Sequence, residues 1–378
     1  MSVPTECEYP GYTGERHPEV FDVRAMPAQP EVLKPGQLPR EKIEQFFTKG
    51  YLVVEDYFTP EELDPMTPVL NQFVDNVANR LYKAGKVKDV YADLGFRERL
   101  CKLEEEFPGA NILCFKQMGS VPQALKAIWA NERLLNLIEQ LIGPDIAGNP
   151  VWNLRTKTPR NDATTVPWHQ DCSYTDLESY RCLVPTAWIP FVDANEDNGC
   201  LQIMESGHMS GLVARHQCCW GGTWYNMLEE HEMRDTLGID PQTQLRTLPI
   251  KRGSMVLFNN LIPHRSLNNT SDHVRWSVDL RWQRASDPAG FYGLKGSVLM
   301  RSHDRPDLKI DWTEFDAVNR HELQDKLLAD EMKSVPQDDP DFDTRVPGPW
   351  MRKWEITHVN KHVLQHRKDE SAGDEHAI

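Results

Sequence analysis

Between Val274 and Trp282 polar and apolar residues alternate without a break, with Arg275, Ser277, Asp279 and Arg281 on one side and Val274, Trp276, Val278, Leu280 and Trp282 on the other. Period-two alternation predicts a strand with one apolar face packed on a core. Its polar face is either solvated or turned into an internal site. Upstream, Arg252-Gly253 makes a turn and Ser254 to Phe258 an apolar run, a second strand leading towards His264. The first half of the chain changes period. Ile43, Phe46 and Phe47 recur at helical spacing after Pro39, and Tyr51 to Val54 reads as a strand. Residues 60–82 and 124–142 read as amphipathic helices, the latter carrying Leu125, Ile128, Leu134, Leu135, Ile138 and Leu141 and stopped by Gly143-Pro144. From about residue 150 to 285 short β-type runs alternate with turns at Asn161-Asp162, Asp197-Asn198-Gly199, Arg252-Gly253 and Asn268-Asn269. A mainly β core preceded by helices is the economical reading.

This pattern divides the chain. Residues 1–40 are rich in proline and read as an arm; residues 41–290 form a single domain, helical over 41–150 and β-rich over 151–290. Residues 205–250 are an insertion with the character of a lid, carrying Trp220, Trp224 and Tyr225. Residues 291–378 are a charged C-terminal extension whose tail, Ser371 to Glu375, is expected to be disordered. Composition adds that 39% of residues are hydrophobic and 26% charged, with no apolar run of membrane-spanning length, so a soluble globular chain is expected. The net charge of −15 argues against nucleic acid, whose phosphates demand a basic surface. Eight cysteines without a Cys-x-x-Cys pair, and an N-terminus without a signal pattern, favour reduced thiols and a cytoplasmic location. Cys172, Cys182 and Cys200 read as packing residues.

The candidate chemistry lies at Trp168-His169-Gln170-Asp171 and at Pro263-His264-Arg265-Ser266. On a strand, residues i and i+2 share a face, so His169 and Asp171 can reach one ion while Gln170 points away. A fold that returns His264 to the same place completes two imidazoles and one carboxylate, a facial triad suited to non-haem Fe(II) with positions left open. The three residues alone also permit zinc, or a chance triplet on a surface turn. An inward-facing Arg275 beside Ser266 is suited to clamp a carboxylate.

With those residues in place, the chain resembles the phytanoyl-CoA dioxygenase family of Fe(II)- and 2-oxoglutarate-dependent oxygenases. The matching segments are Pro167 to Asp171, Thr186 to Ala194, Asn198 to Met204, Arg252-Gly253-Ser254 with Asn259, then His264, Ser266, Asn268 and Arg275. Gly50 to Phe58 and Pro60 to Leu63 match its opening strand and helix, so the resemblance spans roughly residues 45–285. It departs at Glu205-Ser206-Gly207-His208, where Gly-Ser-His is usual, and at Arg265, where Gly is common; neither removes a ligand. The resemblance implies a double-stranded β-helix, a cupin-like jelly roll, flanked by helices. It implies His169, Asp171 and His264 as iron ligands, and Arg275 and Ser266 on the distal carboxylate of 2-oxoglutarate. Trp188 and, more loosely, Asn153 would line the same pocket. Fe(II), 2-oxoglutarate and O2 would be the cofactor and co-substrates, with no catalytic side chain required beyond the metal centre.

The expected activity is hydroxylation of an unactivated C–H bond of a small molecule, with 2-oxoglutarate and O2 converted to succinate and CO2. Retention of Asp171 favours oxygen transfer over halogenation, which needs that coordination site for a halide. Desaturation or cyclisation on the same scaffold, a zinc hydrolase or isomerase of cupin type, and a binding module without activity are the alternatives. For the substrate itself the sequence offers Arg281, on the face of Arg275, to meet an anionic group, and Trp220, Trp224 and Tyr225 to lie against an alkyl chain or a cation. Arg281 paired internally with an acid, and aromatics filling the core, are equally compatible. Neither a nucleic acid nor a membrane is an expected partner, and a homodimer is left open.

Overall fold

The computed structural model describes residues 23–176, 179–180, 182–220, 225–291, 296–327, 339–346 and 355–356. Residues 1–22 of the arm, Trp224, and the tail with Ser371 to Glu375 lie outside the described residues. Thirteen strands are described in chain order: β1 (Tyr51–Val54), β2 (Ile146–Gly148), β3 (Asn153–Lys157), β4 (Thr186–Pro190), β5 (Leu201–Met204), β6 (Gln217–Trp220), β7 (Tyr225–Met227), β8 (Leu245–Leu248), β9 (Met255–Phe258), β10 (His264–Ser266), β11 (Arg275–Arg284), β12 (Val298–Arg301) and β13 (Glu355–Ile356).

The alternating segment becomes β11, and it is the axis of the molecule. Val274, Trp276, Val278, Leu280 and Trp282 are at most 1% exposed, so the apolar side packs on a core as the pattern requires. The polar side is buried as well. Antiparallel neighbours flank β11 on both edges, β4 on one and β3 followed by β2 on the other, giving a seven-stranded sheet ordered β1-β9-β4-β11-β2-β12 with β3 also against β11. A second sheet, β10-β5-β8, is also antiparallel. Residues of both sheets, Trp188, Phe258, Arg275 and Arg281 from the first and Leu201, His264 and Ser266 from the second, line one cavity of about 160 Å³.

Helices cover the apolar side of the large sheet. Trp129 is fully buried there, and its indole N–H donates to the Arg281 carbonyl at 3.1 Å, tying helix to strand. Burying one such side chain contributes about 1.5–3 kcal/mol. Two long helices expected from periodicity are each broken in two. Residues 60–82 split into Pro60–Leu63 and Met66–Lys83, because Pro65 lacks the N–H a continuous helix needs. Residues 124–142 split into Gln123–Trp129 and Glu132–Ile142, where Asn131 caps the second by accepting from the N–H groups of Arg133 and Leu134. Helices Phe96–Glu106 and Ala110–Lys116 were not anticipated.

Two boundaries also differ from expectation. Residues 205–250 are not one long loop: β8 completes the second sheet, and β6 and β7 form a hairpin that β13 joins in parallel. Beyond residue 290, β12 extends the large sheet, Trp312 and Phe315 pack against its core, and Phe342 is 4% exposed within that core. Apolar side chains spaced too irregularly to show a period are legible only once something packs against them.

Candidate metal centre

His169 and His264 face one another on adjacent backbones. They form an isolated antiparallel bridge, each N–H donating to the other's carbonyl at 3.0 Å, with ring centroids 4.2 Å apart. Each ring is fixed through Nδ1, which lies 2.9 Å from the Pro167 carbonyl in His169 and 3.0 Å from the Ile262 carbonyl in His264. An Nδ1–H donated to a carbonyl leaves Nε2 with its lone pair, the tautomer a metal needs. Burial, with His169 alongside, pushes the His264 pKa down to about 3, so its imidazole is neutral at physiological pH.

Asp171 supplies the third donor. The backbone leaves the bridge at His169 and enters a 3₁₀ turn at Asp171, so the two do not sit on a regular strand as their spacing suggested. The turn still points the carboxylate inward. Its Oδ1 lies 3.5 Å from His169 Nε2 and 3.7 Å from His264 Nε2, and the three donor atoms fall within 4.8 Å of one another. Oδ2 is fully engaged elsewhere: it accepts from Arg281 Nε at 3.1 Å, Arg281 Nη2 at 2.8 Å and Thr186 Oγ1 at 3.1 Å. Burial alone would raise this carboxyl's pKa, but Arg281 and the two imidazoles hold it well below the usual range. An ionised carboxylate presenting one oxygen, beside the Nε2 atoms of two imidazoles, is a donor set suited to a divalent first-row metal.

Gln170, between the ligands, faces the other way into residues 205–250. Its amide donates to the carbonyls of Leu212 at 3.0 Å and Leu261 at 2.6 Å and accepts from the Ala214 N–H at 2.9 Å. Asn226 continues the attachment: its side-chain amide donates to the Ser173 carbonyl at 3.1 Å and its backbone N–H donates to the Tyr174 hydroxyl at 3.0 Å. Residues 205–250 are thereby anchored to the turn that carries Asp171.

The other anticipated residues meet at the same cavity. Arg275 is 3% exposed, its guanidinium carbon 5.2 Å from the centre of the Trp188 ring. Its Nη1 donates to Ser277 Oγ, Nε has no partner among the described residues, and no carboxylate there pairs with it. Burial pulls its pKa down to about 10, which still leaves it charged. Ser266 is 4% exposed and its hydroxyl accepts from the Val166 N–H at 3.2 Å. Asn153 lines the cavity, but its Oδ1 accepts from Arg320 at 3.2 Å. Arg281, read as either a substrate contact or an internal partner of an acid, holds Asp171, and its Nη1 remains without a partner among the described residues. Tyr225 lines the cavity; of Trp220 only the backbone, in β6, is described, and Trp224 lies outside the described residues.

Sequence reading missed Lys157, Arg155 and Arg320. Arg155 grips Asp279 Oδ2 through Nε at 2.9 Å and Nη2 at 2.7 Å, and Arg320 stacks 4.7 Å from the Trp152 ring while donating to its carbonyl. The polar–apolar alternation of Asn153-Leu154-Arg155-Thr156-Lys157 was the available signal for the first two; Arg320, far along the chain, had none.

Residues 46–277 match the model of the family described as phytanoyl-CoA dioxygenase. An Arabidopsis thaliana protein named phytanoyl-CoA dioxygenase is 24% identical over 293 residues, 68% of this chain and 98% of its own. The rat protein named phytanoyl-CoA dioxygenase, peroxisomal, is 23% identical over 219 residues, 53% of this chain and 62% of its own. Among solved structures, EctD from S. alaskensis in its apoform is 16% identical and covers 72% of this chain and 85% of its own, with a TM-score of 0.46. The epimerase SnoN, in complex with Fe3+, alpha-ketoglutarate and nogalamycin RO, is 15% identical, covering 65% and 82%, with a TM-score of 0.41.

Proposed function

Because the chain belongs to the phytanoyl-CoA dioxygenase family, and is thus a non-haem iron, 2-oxoglutarate-dependent oxygenase, we propose that it hydroxylates an unactivated C–H bond of a small molecule. The observation that carries this reading is the buried guanidinium of Arg275, which pairs with no carboxylate among the described residues, in the same cavity as His169, Asp171 and His264. A cation left in a low-dielectric interior costs free energy that an incoming carboxylate recovers. In this reading His169 Nε2, Asp171 Oδ1 and His264 Nε2 hold iron, and Arg275 and Ser266 hold the distal carboxylate of 2-oxoglutarate against the Trp188 ring. Iron with 2-oxoglutarate and O2 supplies the oxidising power, yielding succinate and CO2. The chain supplies orientation: two pinned imidazoles, a carboxylate turned by Arg281 and Thr186 so that one oxygen faces inward, and apolar walls of Val184, Phe258 and Phe291 that exclude water. The two antiparallel sheets flanking the cavity are read as a double-stranded β-helix. A cytoplasmic setting fits the buried thiols of Cys101, Cys114, Cys172, Cys182 and Cys200, which form no disulfides.

The test is anaerobic addition of Fe(II) and then 2-oxoglutarate, followed as a visible charge-transfer band, and afterwards a metabolite panel assayed for substrate-dependent succinate. Band and stimulated succinate are expected; their absence in metal-loaded protein would remove the reading. Product mass separates hydroxylation, which adds one oxygen atom, from desaturation or cyclisation, which removes hydrogen. For Arg275→Ala, loss of a charge-assisted pair worth about 1.5–3 kcal/mol should weaken 2-oxoglutarate by about tenfold or more. An unchanged affinity in an equilibrium titration would take Arg275 out of this role.

A further inference from the structure

Among the described residues, five cationic side chains line the cavity, Arg155, Lys157, Arg265, Arg275 and Arg281, against two acids, Asp171 and Asp279. Arg281 takes Asp171 and Arg155 takes Asp279. Arg320, 4% exposed, donates to Asn153 Oδ1, yet it has no ion-pair partner among the described residues and its Nε is unpaired there. Two of the five cations weigh less. Lys157 Nζ is occupied by the Thr164 carbonyl at 2.9 Å and the Thr165 hydroxyl at 3.3 Å, and burial, with Arg275 and Arg155 beside it, holds its pKa well below the ordinary value. Arg265 lies 4.7 Å over the Trp168 ring and gives Nε to Gln202 Oε1 at 2.8 Å. With both set aside, Arg275 and Arg320 still stand without an acid among the described residues. Fe(II) and the 2-oxoglutarate dianion carry equal and opposite charge, so loading the site as read above leaves the positive surplus in place. A pocket of one sign with low-dielectric walls concentrates ligands of the other sign.

Arg155 is the cation with capacity left for such a ligand. Asp279 Oδ2 meets its Nε at 2.9 Å and its Nη2 at 2.7 Å, which fixes one edge of the guanidinium, while Nη1 has no hydrogen-bond partner among the described residues. Of its side-chain surface 25% is accessible, against 6% for Asp279, and the residue lines the cavity. Burial alone would lower its pKa, but Asp279, with Tyr225 and Tyr174 close by, raises it, so the charge is permanent. Tyr174 in turn sits edge-on to His169 with ring centroids 5.5 Å apart, which places the surroundings of Arg155 next to a metal ligand. Resting on the oxygenase reading, we infer that the substrate is a small carboxylate, and that Arg155, oriented by Asp279, holds its anionic group through Nη1 beside the metal centre. A guanidinium already fixed along one edge loses little freedom on taking a second carboxylate. Ile112, Phe115 and Phe291 offer an apolar wall to the rest of the molecule.

Full-length protein loaded with Mn(II) and saturating N-oxalylglycine, which fills the Arg275 end of the cavity, is titrated without oxygen against small aliphatic, hydroxy and aromatic carboxylic acids. Each acid is paired with its primary amide and its amine counterpart. Wild-type protein should bind the acids it accepts about tenfold or more tightly than their amides, and Arg155→Met should erase that preference while leaving Mn(II) and N-oxalylglycine affinities unchanged. No acid preferred over its amide, or amines preferred over acids, would overturn the substrate class. A preference that survives Arg155→Met, or that vanishes together with N-oxalylglycine binding, would overturn the role of Arg155. Because the methionine leaves Asp279 unpaired in the interior, a single variant that fails to fold is replaced by Arg155→Met with Asp279→Asn, which removes both charges and is judged by the same pairs. Failure of wild-type protein to bind N-oxalylglycine would sink the oxygenase reading itself; normal binding with an indifferent panel would sink only the carboxylate substrate.

Discussion

At the scale of single residues, the site is governed by how few partners each polar atom is allowed. Asp171 has two oxygens with separate duties, Oδ2 saturated by Arg281 and Thr186 and Oδ1 directed at the imidazoles. Arg281→Met should therefore weaken Mn(II) binding by about ten- to a hundredfold, the usual effect of removing a group that orients a ligand. Paramagnetic titration of Mn(II) measures it, and unaltered affinity would show that Asp171 orients itself. His208 offers a pH prediction away from the metal. It is 1% exposed, its Nε2 lies 3.0 Å from the Phe47 carbonyl, and burial pushes its pKa from 6.5 down to about 4. Above pH 6.5 the imidazole is neutral in both folded and unfolded chains. As pH falls from 6.5 to about 4 the unfolded chain takes up a proton that the folded chain refuses, so stability drops, by up to about 3 kcal/mol. His208→Gln should flatten that part of the stability–pH curve; an unchanged slope in denaturant titrations would assign the acid sensitivity elsewhere. The motif residues were readable from the sequence because their type and spacing state their chemistry. The duty of Arg281 was not, since a strand pattern reveals which face a side chain takes but not which acid it meets there.

At the scale of elements, the metal-bearing turn, the 205–250 segment and β11 act as one unit. Gln170 joins the first two with two side-chain hydrogen bonds, to Leu212 and Ala214, and makes a third to Leu261, all among buried groups, so Gln170→Ala should cost about 2–3 kcal/mol and speed amide exchange at Ala214 ahead of global unfolding. Exchange at Ala214 no faster than in wild type would mean that the segment is held by its own packing. Element boundaries were legible wherever local chemistry sets them: β1 occupies the four residues that the apolar run marked. They were misjudged where one residue interrupts a long period, as Pro65 and Asn131 do. β8 was absorbed into the expected loop because Leu245-Arg246-Thr247-Leu248 has no alternation of its own; pairing with β5 makes it a strand.

At the scale of the whole molecule, segments remote in sequence close the site and the core. Phe342 packs at 5.5 Å from the Phe107 ring, beneath Arg80, and Val346 lines the cavity, so the chain beyond residue 290 is structural as well as peripheral. Phe342→Ala should destabilise the fold by about 3–5 kcal/mol, measured by urea unfolding, as for other large-to-small changes in a core. A cost below 1 kcal/mol would make this stretch an appendage. The surplus of cations in the cavity, set in a chain of net charge −15, likewise exists only after folding. The sequence by itself determined the periodicities, the family and the donor types at positions 169, 171 and 264, because each rests on residue identity and near-neighbour spacing. Only the tertiary structure decided that both faces of β11 are buried, that Arg281 serves Asp171, and that Lys157 and Arg275 are cross-strand partners with no ion-paired acid among the described residues. Those are outcomes of long-range pairing, in which strands far apart in the chain compete for the same few partners.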